Sequence, residues 1–379
     1  MEPVAPADPI AAVTHADPYP YYRALASTRP FHFDAALKLW VAASAAAVTE
    51  VLEHPAGHVR PAAHPVPPAL AGSAAGDLFG CLIRMNDGVA HASLKVIVLR
   101  QMATLDLADV CTRARALAAA LPCVDHDDGH EANRWMFTLP VLTVADLLGL
   151  PLERDVDGHV STRVAGFVAT FATAMSPLAS PAEVEAGVAA AQWLTQWAGA
   201  GNHAAADDGL LHKLVQAAGD ADIDPATLTA NAIGLMIQAC EATAGLIGNT
   251  LVHLGRTGLC DADIDASVDA VTRLDPPVQN TRRFMAADAI LCGQPVKAGD
   301  AVLVLLAAAA HDPSAPASER SWTFGAGRHG CPGDALARVL AACTVEALLA
   351  RDVRPDRLAA NVSYRPSVNA RIPHFPSTH

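Results

Sequence analysis

The chain has 379 residues, 52% of them hydrophobic, with 39 acidic against 26 basic residues and a formal charge of −13 at pH 7. A chain this long and apolar buries a core large enough to fold unaided, and its acidic balance, without any lysine- or arginine-rich block, argues against a nucleic-acid partner. Aromatic residues make up only 5%, and the apolar set is mostly alanine, leucine and valine, which favours long helices over a sandwich or barrel.

The opening "MEPVAPADPI" lacks a basic stretch followed by an apolar one, so no signal peptide is expected, and no run of about 18 apolar residues predicts a membrane span. A cytoplasmic protein is the expectation. Residues 17–53 read as a helix, a short strand pair around Phe31 to Val41 and a second helix. The stretch "PVPPALAGSAAGDL" is too rich in proline and glycine for a continuous helix and predicts a variable loop over 61–82. Helical patterns follow at Val89 to Met102, Leu107 to Leu121, Phe137 to Leu148, Val160 to Ala174 and Pro181 to Ala198. Between them, "VDHDDGHEANRW" gathers His126, Asp127, Asp128, His130 and Glu131 without a metal-ligand spacing, and reads as a solvated loop.

Asp224 as N-cap and Pro225 at the first helical position start an apolar pattern that predicts one central helix of about thirty residues, roughly 45 Å long. A shorter helix ends near Arg273, and "RRFMAA", "AILCG" and "GDAVLVLL" read as short strands turning at Gly293 and Gly299. The last long element is an amphipathic helix from Asp334 to Arg351. With no repeat or linker, residues 1–379 read as a single domain, mainly α with a small β-rich lobe. Eight scattered cysteines without a CxxC pair are expected to be mostly free, buried thiols.

One loop concentrates chemistry. In "FGAGRHGCPG", residues 324–333, Cys331 immediately precedes a helix, where unpaired N–H groups and the helix dipole favour a thiolate. Glycines 325, 327 and 330 open backbone conformations closed to other residues. Position alone allows a nucleophile, a metal ligand or a small packing residue. The full pattern of Phe324, Gly325, Gly327, His329, Cys331 and Gly333 resembles, position for position, the haem-binding loop of the cytochrome P450 family. That resemblance implies the family's fold, a helical bundle with a small β lobe, and haem b as cofactor. It makes Cys331 the proximal iron ligand, with Phe324 packing on the sulfur side and His329 meeting a haem propionate. Thiolate ligation favours O–O bond cleavage.

The resemblance extends along the chain. "NDGVAHASLKVIVLRQM" is similar to the family's C-helix, which makes His91 and Lys95 propionate partners, and "LDPPVQNTRRF" implies pocket residues Val278 and Gln279 and a propionate contact at Arg283. "VSYRPSVNARIPHF" resembles the last substrate-contacting hairpin, around Ser367 to Asn369 and including Val368. Implied partners are a small-molecule substrate, dioxygen, and a ferredoxin or flavodoxin with its reductase, docking near Arg328 and Arg338.

Three departures from the family pattern stand out. Ala270 replaces the glutamate expected three residues before Arg273, leaving Asp269, one turn away, as a substitute partner. The connections after the long helix and before the cysteine loop are short, with Arg320 as the remnant of a family arginine. In the oxygen-activating helix, Glu241 takes the place of the acid and Ala242 that of the usual threonine. A second register keeps Thr243 as the threonine, at the expense of the downstream match. Loss of the hydroxyl leaves three outcomes open: water or substrate supplies it, peroxide replaces dioxygen, or the haem performs an isomerisation or dehydration. A non-catalytic haem protein is a further alternative.

Overall fold

The computed structural model describes residues 5–122, 127–202, 209–219, 223–258, 263–315 and 322–377. Its first half carries α1 (Tyr19–Thr28), β1 (Phe31–Asp34), β2 (Leu39–Ala42), α2 (Ala45–Glu53), β3 (Gly57–His58), α3 (Ala74–Cys81), α4 (Gly88–Met102), α5 (Leu107–Ala120), α6 (Asp128–Leu147), α7 (Arg163–Ala174), α8 (Pro181–Asn202) and α9 (Leu210–Ala218). The second half carries α10 (Pro225–Gln238), α11 (Glu241–Thr257), α12 (Ile264–Leu274), β4 (Thr281–Met285), β5 (Ala289–Leu291), β6 (Gln294–Val296), β7 (Ala301–Val304), α13 (Leu306–Ala310), α14 (Asp334–Leu349), α15 (Pro355–Ala360), β8 (Ser363–Tyr364) and β9 (Pro373–His374).

The expected mainly α architecture with a small β lobe is present. Five strands form one sheet in the order β1-β2-β7-β4-β3, and two two-stranded ribbons pair β5 with β6 and β8 with β9. In the sheet β2 and β7 run parallel, while β4 runs antiparallel to β7 with Arg283 opposite Val302. The larger core is helical and includes Trp135, Met136 and Leu139 of α6, Phe171 of α7 and Leu246 and Leu251 of α11. A second cluster of Ala42, Val48, Val302 and Val304 sits under the sheet. Pro225–Thr257 is apolar enough for a membrane span by composition, but 78% of that window is buried in the core.

Four expectations are corrected. The stretch 61–82 is not loop throughout, because α3 occupies its end. Ser73 caps that helix by accepting from the Gly76 N–H, and a Cβ at position 76 would lie 2.2 Å from the Leu70 carbonyl oxygen, so this glycine permits close approach instead of breaking the helix. Helix α6 begins at Asp128, well before Phe137, because Asp127 caps it by accepting from the His130 N–H at 2.8 Å. Asp127, Asp128 and Glu131 are consequently buried and not in a solvated loop; His126 lies outside the described residues.

The central helix is two helices. Cys240 donates to the Ile237 carbonyl at 3.2 Å in a tightened turn, and its ψ of −82° ends the first ladder, so α11 starts afresh at Glu241. Finally, Cys111 of α5 and Cys343 of α14 form a disulfide with their Cα atoms 6.0 Å apart, so the expectation of mostly free, buried thiols does not extend to that pair, and of the free cysteines described only Cys240 is buried. The close packing of α5 on α14 brings the two sulfurs together. Cys81, Cys240, Cys292 and Cys331 are free.

Candidate functional site

The cysteine loop is shaped by backbone requirements. Gly325 and Gly327 adopt φ of +67° and +63°, and a Cβ on Gly327 would lie 3.2 Å from the Leu52 carbonyl oxygen. Gly330 sits at φ −55°, so left-handed geometry explains two of the three glycines and not the third. The Cys331 N–H donates to the Phe324 carbonyl at 2.8 Å, closing the loop on itself, and the Gly333 N–H donates to the Cys331 sulfur at 3.4 Å. The sulfur is reached from a concave space yet walled by protein on most sides. Burial therefore pushes the thiol pKa up, against the pull of the Gly333 N–H and Lys95.

A cavity of about 640 Å³ opens beside the loop, lined among others by Cys331, Gly330, Arg328, His91, Lys95 and Asp87. Lys95 of α4 donates its Nζ to the Gly330 carbonyl at 2.6 Å. His91 is buried, its ring 4.3 Å from that of His329. Burial, with the neighbouring His329 and Lys95, holds its pKa down at about 4, so near neutrality His91 offers an N–H donor and not a charge. Asp87 organises the rim: it contacts the His329 ring at 2.9 Å, accepts from the Val59 N–H at 2.9 Å and pairs with Arg328 at 3.3 Å. Burial alone would raise the Asp87 carboxyl, but these hydrogen bonds and the histidines hold it well below its usual range.

Arg283 is buried on β4, donates to the Arg282 carbonyl at 2.9 Å and leaves its Nε without a partner. Burial and Arg328 lower its pKa to about 10, which leaves it cationic. A cavity of this size lies within the range of about 300–1,000 Å³ usual for cofactors. A thiol in its lining, Lys95 in its wall and an under-satisfied buried guanidinium nearby fit a large, dianionic, iron-bearing cofactor.

Arg328 also donates to the carbonyls of His54 and Gly57. Arg338 pairs with Asp269 and lies 5.0 Å from the Phe324 ring centre. Neither arginine presents the free positive charge expected of it, because each has an acid within reach. The substitute pair expected between Asp269 and Arg273 is likewise absent: Asp269 is taken by Arg338, and exposed Arg273 has no ion pair among the described residues. Arg320 lies outside the described residues.

At the start of α11, Glu241 is accessible while Ala242 is partly buried and Thr243 buried. Protein walls desolvate the Glu241 carboxyl and push its pKa up, with Arg84 and then Arg365 opposing. Val278, Gln279 and Val368 come together, but by zipping two segments and not by lining the cavity above. Val278 bridges Ala370, the Gln279 N–H donates to the Asn369 carbonyl at 2.9 Å, and Asn280 donates to the Val368 carbonyl at 2.9 Å. Gln279 is fully buried, its Nε2 on the Pro276 carbonyl at 2.6 Å. Sequence reasoning missed Asp87, Arg84 and Arg371. The signal for the arginines was a charge set inside an apolar stretch.

No protein-family model matches the chain. It is 34% identical over 158 residues to cytochrome P450 140 of Mycobacterium tuberculosis, a match covering 36% of each protein. It is 29% identical over 294 residues to cytochrome P450 144 of the same species, covering 70% of this chain and 65% of the relative. The matched region thus spans little more than a third of the first relative's length and just under two thirds of the second's. Among solved structures, P450BioI in complex with a hexadec-9Z-enoic acid ligated acyl carrier protein superposes with a TM-score of 0.74 at 20% identity, over 94% of this chain and 96% of that one. CalO2 gives a TM-score of 0.74 at 21% identity over the full length of both chains. The chain thus has the fold of the cytochrome P450s, carries a cysteine loop of their haem-binding pattern and is similar in sequence to relatives that are themselves P450s.

Proposed function

We propose that this single-domain protein is a haem-thiolate monooxygenase that inserts one oxygen atom from dioxygen into a small organic substrate, with haem b bound through Cys331. The observation that carries this reading is the Cys331 thiol in the wall of a cofactor-sized cavity, clamped through its N–H to Phe324 and approached by Lys95 and Arg328. Bound there, the haem supplies dioxygen binding and activation, which thiolate ligation favours.

The chain's own residues do the rest. Lys95 and Arg283 provide charge for the propionates, and His91 and His329 provide ring N–H donors beside them. Phe324 shields the sulfur face under the cation of Arg338. Glu241 is the proton-relay group: burial pushes its pKa up, against Arg84 and Arg365, which favours the protonated form. Ala242 has no hydroxyl to pass that proton on, so an ordered water or a substrate hydroxyl takes its place. Thr243 points elsewhere, since one residue turns about 100° around a helix. Electrons come from an external ferredoxin or flavodoxin with its reductase, in the cytoplasm. Because Arg328 and Arg338 are already paired, they offer that partner less free charge than an unpaired arginine would.

The reduced, carbon monoxide-treated holoprotein tests the assignment. The thiolate-type Soret band is expected in the wild type and lost in Cys331→Ala. Its persistence in the variant would remove Cys331 as ligand. Product formation with NAD(P)H and redox partners, compared with peroxide alone, separates the monooxygenase from a peroxygenase.

A further inference from the structure

We propose that Arg84, with Arg365 at the rim, binds the carboxylate of an acid-bearing substrate beside Glu241. This assigns a substrate class and rests on the monooxygenase reading above.

Arg84 lies on a short 3-10 turn, Ile83–Met85, fixed against α10. The Ile83 N–H donates to Asn231 Oδ1 at 2.8 Å, and Asn231 Nδ2 donates back to the Cys81 carbonyl at 2.8 Å. A Cβ on Gly234 would lie 2.8 Å from Leu82 Cδ2, so the turn packs tightly just ahead of the break at Cys240. Arg365 follows β8, its N–H on the Ile372 carbonyl at 2.9 Å and its guanidinium 4.7 Å from the Phe137 ring centre. Three chain segments thus bring Arg84, Glu241 and Arg365 into one electrostatic neighbourhood.

Neither guanidinium has a hydrogen-bond or ion-pair partner among the described residues, and Arg365 only overlies the Phe137 ring. Among the described residues Arg84 donates no hydrogen bond, its Nε is buried without a partner, and the Arg365 side chain donates none either. Neither forms an ion pair with a described carboxylate. Arg371 is the contrast: it spends its donors on Asp275 and on the carbonyls of Val13, His15 and Ala16. A guanidinium offers five donors in a planar fork that a carboxylate can satisfy two at a time. Leaving a desolvated one unpaired is unfavourable, and two cations facing one acid leave net positive charge. Both facts favour an incoming carboxylate close to where Glu241 begins α11. The same carboxylate would sit near Ala242, where the chain lacks a hydroxyl.

The test uses haem-loaded protein and two matched pairs of probes, decanoate with decanamide and 4-phenylbutanoate with its amide, plus decyl phosphate. Binding is read by equilibrium dialysis and by the haem spectral shift. At least one acid is expected to bind tenfold or more tighter than its amide. Arg84→Gln should cut that preference at least tenfold while changing amide affinity less than twofold, and Arg84→Lys should retain part of it. Acids that bind no better than their amides, or not at all, overturn the proposal, as does an Arg84→Gln variant that weakens acid and amide equally. Tighter binding of decyl phosphate than of decanoate overturns the carboxylate assignment in favour of a phosphate ester. An intact thiolate-type carbon monoxide band with no acid preference refutes this inference alone, whereas a missing band in the wild type refutes the haem-thiolate reading beneath it.

Discussion

Arg371 shows what a retained internal cation requires in this fold. It is 1% exposed, its Nε donates to Asp275 at 2.8 Å, and its other nitrogens hold three carbonyls of the segment leading into α1. The Tyr364 ring stacks beneath it at 3.5 Å, and the Tyr19 hydroxyl donates to the same Asp275. Removing the cation leaves a half-buried carboxylate with only the Tyr19 hydroxyl and strands three carbonyls, a change that costs about 3–5 kcal/mol when one partner of a buried pair is deleted. Arg371→Met is expected to lower unfolding free energy in urea by that amount, with Arg371→Lys recovering part of it. A loss below about 1 kcal/mol would show the network to be dispensable. The same comparison sets Arg84 apart, because no such partners surround it. His91 likewise keeps its place by burial and ring contact, which makes it a neutral donor.

Between elements, the tightest constraints are glycines where helices meet backbone. In α11, a Cβ on Gly255 would lie 2.1 Å from the Pro355 carbonyl oxygen and 2.8 Å from Ala359 Cβ, whereas Gly199 in α8 has nothing within 4 Å. Alanine raises helix propensity at both positions by about 1 kcal/mol. At Gly255 the clash is with the backbone of α15, so the two helices must separate, and overpacking of this kind costs about 1–3 kcal/mol or more. Opposite signs are expected in thermal or urea unfolding: Gly255→Ala destabilises and Gly199→Ala stabilises. If Gly255→Ala were also stabilising, α15 would not be held against α11 as described. The contact matters to the site because α11 carries Glu241 at its other end, and Gly245 and Gly248 press the same helix onto Pro277 and Pro373.

Across the whole molecule, what could be read from sequence was local. The helices α4, α5, α7 and α14 follow from spacing within a few turns, whereas the cysteine loop and Cys331 were legible through their resemblance to a haem-binding pattern. The start of α6 was hidden because its first residues are acidic yet buried. The partners of Asp269 and Arg371 lie far along the chain, which no local pattern reports, and no glycine or proline marks the break at Cys240. The Cys111–Cys343 bridge is another long-range case, closing 232 residues between α5 and α14. A crosslink over a loop of that length removes much freedom from the unfolded chain, and native bridges contribute about 2–5 kcal/mol. In a reducing cytoplasm such a pair would be held as thiols, so its contribution should depend on redox conditions. Wild-type protein is expected to lose stability on adding dithiothreitol, Cys343→Ser should match the reduced wild type, and the Cys111→Ser/Cys343→Ser double variant should be insensitive to reductant. Equal effects of reductant on wild type and double variant would remove the bridge from the account. Because α14 also follows directly from Cys331, the carbon monoxide band provides an internal control. A bridge that only restrains the unfolded chain leaves that band intact in Cys343→Ser, whereas one that positions α14 for the cofactor weakens it.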